Sequence, residues 1–133
     1  MSINTRAEKP KVFIIQQPRP DPKRNNWVPN FDSAADFGAI HFVFDQNERV
    51  HADPVASRVK AEEALKDFSP NRDYLLPTVF GDPAAAWLVI QLLTAQATYC
   101  QNKFLKYLYW SRGRGEGGMT NETGYYVECK IPV

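Results

Sequence analysis

Two histidines and two cysteines are the residues of this chain best suited to metal or nucleophilic chemistry. His41 lies in an apolar run, His51 lies in a polar turn, and no HxH or HExxH spacing occurs. Zinc needs three or four nitrogen, sulfur or carboxylate ligands at one point, and this spacing does not demand such a point. Neither Cys100 nor Cys129 lies in a nucleophile motif. We therefore predict no metal site, no cofactor and no catalytic residue, and keep a small enzyme that uses His41 or His51 as an alternative.

The segment Thr78–Ala84 is the best candidate for a ligand pocket. It contains none of the GxSxG, P-loop or GxGxxG patterns, but it opens a helix directly after a strand. Helix N-termini at that edge of an α/β sheet suit anions. Asp82 competes for the same amides and Pro83 removes one of them, so the favoured interpretation is a capped helix start.

The most unusual stretch is a proline-rich basic segment over residues 18–30. Prolines at three alternate positions exclude a helix or a central strand and favour an extended arm. A pre-extended segment loses little entropy on binding, and tryptophan and arginine are common interface anchors. The alternative is a connector whose tryptophan packs into the core. The candidate partner-binding residues of the arm are Arg19, Lys23, Arg24 and Trp27.

A second basic segment, residues 111–115, carries two further candidates, Arg112 and Arg114. Mobile guanidinium groups in a glycine-rich loop between aromatic strands can bind nucleic acid. The alternative is a hairpin loop between strands whose rings pack on one another. The isoelectric point of about 7.8 is low for a dedicated nucleic-acid protein.

The elements that must position these residues follow from hydrophobic periodicity and from turn residues. Their order is β-β-α-β-α-β-β, which predicts a single α/β domain with a mixed five-stranded sheet, two main helices and a C-terminal hairpin. Residues 1–10 are predicted to form a loose tail. The predicted strands span residues 11–17, 39–45, 73–79, 104–110 and 124–131, and the predicted helices run from Asp53 to about Asp67 and from Pro83 to about Gln101.

Each helix begins with Asp-Pro, at Asp53 and Asp82, and we predict that both aspartates are N-caps. The second helix is apolar on nearly every side, which indicates a central buried helix or one that also meets a partner. Its predicted core residues are Trp87, Leu88, Ile90, Leu92 and Leu93. For the first helix the predicted buried side consists of Val55, Val59, Leu65 and Phe68.

Length and composition set the class of protein. The 133 residues suit one domain, and 44% hydrophobic residues exclude intrinsic disorder of the body of the chain. The longest apolar run is too short for a membrane span, and the start has no apolar signal core, so we expect a cytoplasmic protein. The net charge of +1 combines basic ends with an acidic middle, which can present two faces of opposite sign.

Several short motifs together resemble small accessory proteins of bacteriophages and prophages. The resemblance covers about residues 27–130, and the 111–124 loop departs from it. It implies a phage accessory protein in the host cytoplasm, or in the virion as an alternative, and it transfers no activity and no functional residue. The motifs are Trp27–Pro29, Ala34–Gly38, Asp67–Pro77, Gly81–Ala85, Leu105–Trp110 and Tyr126–Glu128.

The leading hypothesis is a non-enzymatic binding module that acts on a host or phage macromolecule, with inhibition of that partner as one form. A protein partner is favoured, nucleic acid is the second class, a membrane is not expected, and a homo-oligomer is compatible with the sequence. The alternatives are a virion or assembly component, a nucleic-acid-contacting protein and the small histidine enzyme.

Overall fold

The computed structural model describes residues 9–77, 81–114 and 120–133, with backbone alone at 112–114 and 120–123. A mixed five-stranded sheet with two helices confirms the predicted α/β domain. The strand order is β2-β1-β3-β4-β5; the first four strands are parallel, and β5 is antiparallel to β4. The elements are β1 (Lys11–Gln16), β2 (Ala39–Phe44), α1 (Pro54–Leu65), β3 (Tyr74–Leu76), α2 (Pro83–Tyr99), β4 (Phe104–Arg114) and β5 (Thr120–Pro132).

The first strand lies in the interior of the sheet. It pairs with β2 on one side and β3 on the other, and its residues 12–16 are all buried. A strand covered on both faces needs a continuous apolar run rather than alternation, which is what the segment VFII provides. The chain runs from β1 to β2 in one direction and from β3 to β4 in the other, so the strand order reverses between β1 and β3.

Both helices lie on one face of the sheet. Every fourth residue of α2 from Ala85 to Ala97 is buried, and Ala61 and Leu65 of α1 join the same core. These side chains pack on Phe13 and its neighbours of the sheet. Asp53 accepts a hydrogen bond from the Ala56 amide and thereby caps α1, as predicted.

The opposite face is covered by the connection between β1 and β2. A 3-10 turn over Ala34–Asp36 presents buried Ala34 to Val12, Ile14 and Leu108 of the sheet. This cover leaves part of the face open, because the connection forms no long helix. The protein therefore has one full helical layer and one thin layer of loop.

The predicted faces of the helices are partly wrong. Val55 and Val59 are exposed, because α1 contacts the core through Ala61 and Leu65 near its end. Trp87 of α2 is 73% exposed. Of the five predicted core residues of α2 only Leu93 is fully buried, since one stripe of the helix faces the sheet. Leu88, Ile90 and Leu92 are partly buried and pack against the core, so α2 lies on the sheet with Trp87 on its solvent side.

The predicted tail falls almost entirely on residues 1–8, outside the described part of the chain. No helix formed by the described residues combines the length and the apolar character that a bilayer span requires.

Candidate partner-binding surface

The proline-rich segment folds into a compact turn after β1. Pro22–Arg24 forms a 3-10 turn that Asp21 caps by accepting from the Lys23 amide. Asn25 and Asn26 both have positive φ, and the Asp21 amide donates to the Trp27 carbonyl at 2.9 Å. The structure therefore corrects the predicted extended arm over 18–30. The reason is local: Asp21 stabilises the turn, and asparagine tolerates the left-handed region better than most residues.

The end of this turn brings three of the predicted residues together. The Arg24 guanidinium lies 5.8 Å from the centre of the Trp27 ring and 3.8 Å from the Asp21 carboxylate. Trp27 is 44% exposed, so the alternative of a tryptophan packed into the core does not hold. Lys23 is exposed beside them. The turn thus presents an aromatic ring and two cations to solvent.

An open groove of about 550 Å³ begins one residue after Trp27. Its walls are mainly apolar, and the Phe31 ring that lines it packs edge-on against half-exposed Phe42 of β2. The groove is lined by Val28, Pro29, Asn30, Phe31, Asp32, Ala35 and Ile40. We call the turn 21–27 together with this groove the loop surface.

Arg19 has a structural role, unlike Lys23 and Arg24. Its Nε donates to the Gln46 carbonyl at 2.9 Å and so ties the segment to the turn after β2. Arg112 and Arg114 lie near the end of β4, and their side chains fall outside the described residues. β4 is parallel to β1 and two strands away from it, so both basic segments leave the same edge of the sheet.

The same edge holds a closed polar junction between β1 and α2. Buried Gln16 donates from Nε2 to the Asp45 and Glu48 carbonyls and accepts from the Asp82 amide at 2.7 Å. A Cβ on Gly81, whose φ is +116°, would come within 2.5 Å of the Gln16 oxygen. We call buried Gln16 and the largely buried Asp82 side chain, joined next to exposed Gly81, the buried junction.

Asp82 has both carboxylate oxygens engaged. Oδ1 accepts from the Ala84 amide and Oδ2 accepts from the Val50 amide at 2.7 Å. This confirms the predicted N-cap. In an open α/β sheet the crevice between β1 and β3 is where ligands usually bind. Of the candidate segment Thr78–Ala84, residues 78–80 lie outside the described part of the chain, and Asp82 is hydrogen-bonded to Gln16 and Val50.

The histidines do not form a site with this carboxylate. The Nδ1 of exposed His51 lies 4.0 Å from Asp82 Oδ2, beyond hydrogen-bond distance. His41 stacks on Phe13 with ring centres 5.4 Å apart. Among the residues that the structure describes, no group of histidines, cysteines and acids could hold a metal ion.

A second buried carboxylate, Asp73, joins the start of β1 to the turn before β3. It accepts from the amides of Lys11 and Ser69 and from both Nε and Nη2 of Arg72. Burial alone would raise the pKa of Asp73, but these hydrogen bonds and the Arg72 charge outweigh it and lower the pKa. This group stabilises the fold and does not face the loop surface.

Sequence reasoning missed the groove and Gln16. The signal for the groove was Val28 and Phe31, two apolar residues in the segment without strand or helix periodicity that precedes β2. The signal for Gln16 was a polar residue at the end of a buried apolar run, where only a satisfied hydrogen-bonding partner is tolerated.

Comparison with known proteins gives one assignment. Neither the curated proteins nor the solved structures contain a match to this sequence. A match to a phage protein family extends over residues 10–117, which includes both helices and the whole loop surface. This confirms the resemblance to phage proteins that the sequence motifs indicated. The chain belongs to the family described as Phage Pam3 gp32-like protein.

Proposed function

We propose that this phage protein is a binding module whose loop surface docks onto a partner protein. The partner segment presents an apolar side chain to the groove and a carboxylate to Lys23 and Arg24. One observation carries the proposal: Arg24 and Trp27 lie together at the end of a turn, next to an open apolar groove. Exposed tryptophan and arginine beside a pocket are the residues that most often dominate binding energy.

The backbone of the loop surface supports this role. The turn is closed by its own hydrogen bonds and is attached to β2 through Arg19, so its shape does not depend on a partner. A preformed surface loses less conformational entropy on association than a disordered one. By contrast, the buried junction has its polar groups engaged within the protein.

We place this activity in the cytoplasm of the infected cell, and the virion is the second compartment to examine. The salt dependence of binding separates a protein partner from nucleic acid. For a protein partner, salt screens the steering by two or three cations and slows association moderately. For nucleic acid, the contacts to phosphates make the affinity fall steeply with salt.

The test compares paired variants in a capture experiment from lysate of infected host cells, with and without nuclease treatment. Lys23→Ala/Arg24→Ala and Trp27→Ala are expected to lose the partner that the wild-type protein retains. The matched control, Arg58→Ala/Lys66→Ala, removes two exposed cations that pair with acids on α1 and should retain it. A third variant, Arg112→Ala/Arg114→Ala, tests whether the second basic segment belongs to the surface.

Retention of the same partner by all variants contradicts the proposal and leaves the acidic region 31–82 to be tested. Loss of the partner on nuclease treatment, together with loss in the Arg112/Arg114 variant, would favour the nucleic-acid alternative. Circular dichroism of each variant verifies that its fold is unchanged.

A further inference from the structure

The outer edge of β5 is a second surface that the structure leaves open. β5 is the last strand of the sheet, and its other side faces no strand in the described part of the chain. Its pairing with β4 is regular from Gly124 to Pro132. Long regular edge strands can pair with a further strand, and natural proteins usually protect them.

The hydrogen bonding of β5 tells which backbone groups face this edge. The Val133 amide donates to the Lys103 carbonyl at 3.0 Å, which makes these two residues a hydrogen-bonded pair. In an antiparallel ladder such pairs alternate with pairs that do not exchange hydrogen bonds. The odd-numbered residues therefore point their amides and carbonyls at β4, and the even-numbered residues 126–132 point theirs outward. Pro132, which has no amide, lies at an outward position, as expected for an edge.

We propose that this edge is a homodimer interface, in which β5 pairs antiparallel with β5 of a second copy about a two-fold axis at Cys129. Glu128 of one chain then lies opposite Lys130 of the other, and the reverse pair forms by symmetry. Both are even-numbered residues, so this register directs their free amides and carbonyls at each other. In this register the sequence around Cys129 is complementary to itself in charge, because Glu128 and Lys130 of the two copies face each other.

The existing neighbours of Lys130 favour an acidic partner. Lys130 is paired across the ladder with Lys106, which places two positive side chains on one face of the sheet. Like charges directly opposite each other destabilise a sheet, and an opposite charge on the other side relieves this repulsion. Glu128 of the second copy supplies that charge. Within its own chain Glu128 lies on the same face of the sheet as Tyr74, where burial and then this carboxylate raise the pKa of Tyr74.

The other face of β5 supplies apolar contacts. Tyr125, Ile131 and Val133 are exposed, because α2 lies over the middle of the sheet and does not reach this edge. In the proposed register Ile131 pairs with Val127 of the second copy and Tyr125 pairs with its Val133. Two copies thus cover apolar side chains that one copy exposes, within a continuous ten-stranded sheet.

The first experiment measures mass in solution by sedimentation of the full chain. The wild-type protein is expected at twice 15.2 kDa. Glu128→Lys and Lys130→Glu each replace two attractive pairs by two repulsive ones, and each should raise the dissociation constant about tenfold or more. A control charge reversal on α1, Lys66→Glu, should leave the dimer unchanged.

Mixing the two variants makes the test specific for this register. A Glu128→Lys chain and a Lys130→Glu chain form attractive pairs only with each other, so the mixture should recover the dimer as a heterodimer. The double variant Glu128→Lys/Lys130→Glu should also dimerise with itself. Recovery in both cases shows in addition that each variant is folded.

Cys129 provides an independent measurement. In this register it faces its own copy in a non-hydrogen-bonded pair, at a Cα separation of about 4.5 Å, which a disulfide can span. In a Cys100→Ser background, mild oxidation with diamide should produce a covalent dimer through Cys129. A wild-type protein that is monomeric at high concentration overturns the proposal. So does a dimer that ignores both charge reversals and forms no Cys129 crosslink.

Discussion

The buried junction and the loop surface lie at the same edge of the sheet, but they differ in whether their side chains bond within the protein or face solvent. In the junction, the side chains of Gln16 and Asp82 hydrogen bond to backbone groups of the protein itself. On the loop surface, Arg24 and Trp27 face solvent beside an open groove. At the position where α/β proteins usually bind ligands, the described side chains Gln16 and Asp82 bond within the protein, whereas the neighbouring connection forms an open groove.

This difference teaches that position in a fold does not by itself identify a site. A group whose hydrogen bonds are all internal contributes to stability, and a ligand must break them before it can bind. An exposed cation or aromatic ring can contact a partner without the loss of buried hydrogen bonds. Substitutions should therefore separate the two regions, with stability changing in one and binding in the other.

The largest loss of stability is expected from Asp73→Ala, which breaks the other buried polar cluster. It leaves the amides of Lys11 and Ser69 without an acceptor and the partly buried Arg72 without its carboxylate. We expect a loss of about 3–5 kcal/mol in the free energy of unfolding. Urea denaturation measures it. A loss under 1 kcal/mol would contradict the claim that this buried cluster stabilises the fold.

The same carboxylate predicts a pH dependence. Because the pKa of folded Asp73 lies below its ordinary value of 3.8, the unfolded chain binds the proton first as the pH falls. The stabilisation is fully present above about pH 4 and is lost progressively below it, as the pH falls through the folded pKa. Urea midpoints between pH 2 and pH 6 measure this slope. Asp73→Asn should flatten it, and an unchanged slope in that variant would assign acid sensitivity to other groups.

Asp82→Ala should destabilise the protein by about 2–4 kcal/mol, since it removes an N-cap and also the acceptor of the Val50 amide. The matched variant Asp53→Ala removes only a cap that lies on the surface, and about 1 kcal/mol is expected. Chemical denaturation of both proteins gives the difference. Equal losses would mean that the contact with Val50 adds nothing.

The smallest effect on stability is expected from Lys23→Ala/Arg24→Ala. Both side chains are exposed, and exposed ion pairs contribute little, so the free energy of unfolding should change by less than about 0.5 kcal/mol. Thermal denaturation beside the capture experiment measures both properties on one sample. A loss of several kcal/mol would make this turn a structural element and remove the contrast with the junction.

The fold was predictable from local patterns to a large extent. The apolar run of β1, the Asp-Pro starts of α1 and α2, and the order of elements all appear in the structure. These features depend on contacts within a few residues. The Asp53 side chain accepts a hydrogen bond from the amide three residues later, and the Asp82 side chain accepts one from the amide two residues later. Lys23, Arg24 and Trp27 were candidates because their residue types are unusual in a proline-rich segment, and all three are exposed in the structure.

Only the tertiary structure decided which apolar residues of each helix are buried. Val55 and Val59 fit the periodicity of a buried face, yet α1 meets the sheet through Ala61 and Leu65 instead. Periodicity indicates which residues share a face of a helix, but the neighbouring elements determine which face is buried. For the same reason Trp87 remains outside, although α2 is apolar around most of its circumference.

By itself the sequence determined the element types, the helix caps and the presence of an unusual basic segment, because each depends on nearest neighbours along the chain. The strand order, the groove and the closed junction were decided by contacts between distant segments, such as the bond from the Asp82 amide to Gln16, 66 positions away. Such pairs leave no periodic signal in one sequence. They form only when the sheet brings the ends of β1, β2 and β3 to one edge.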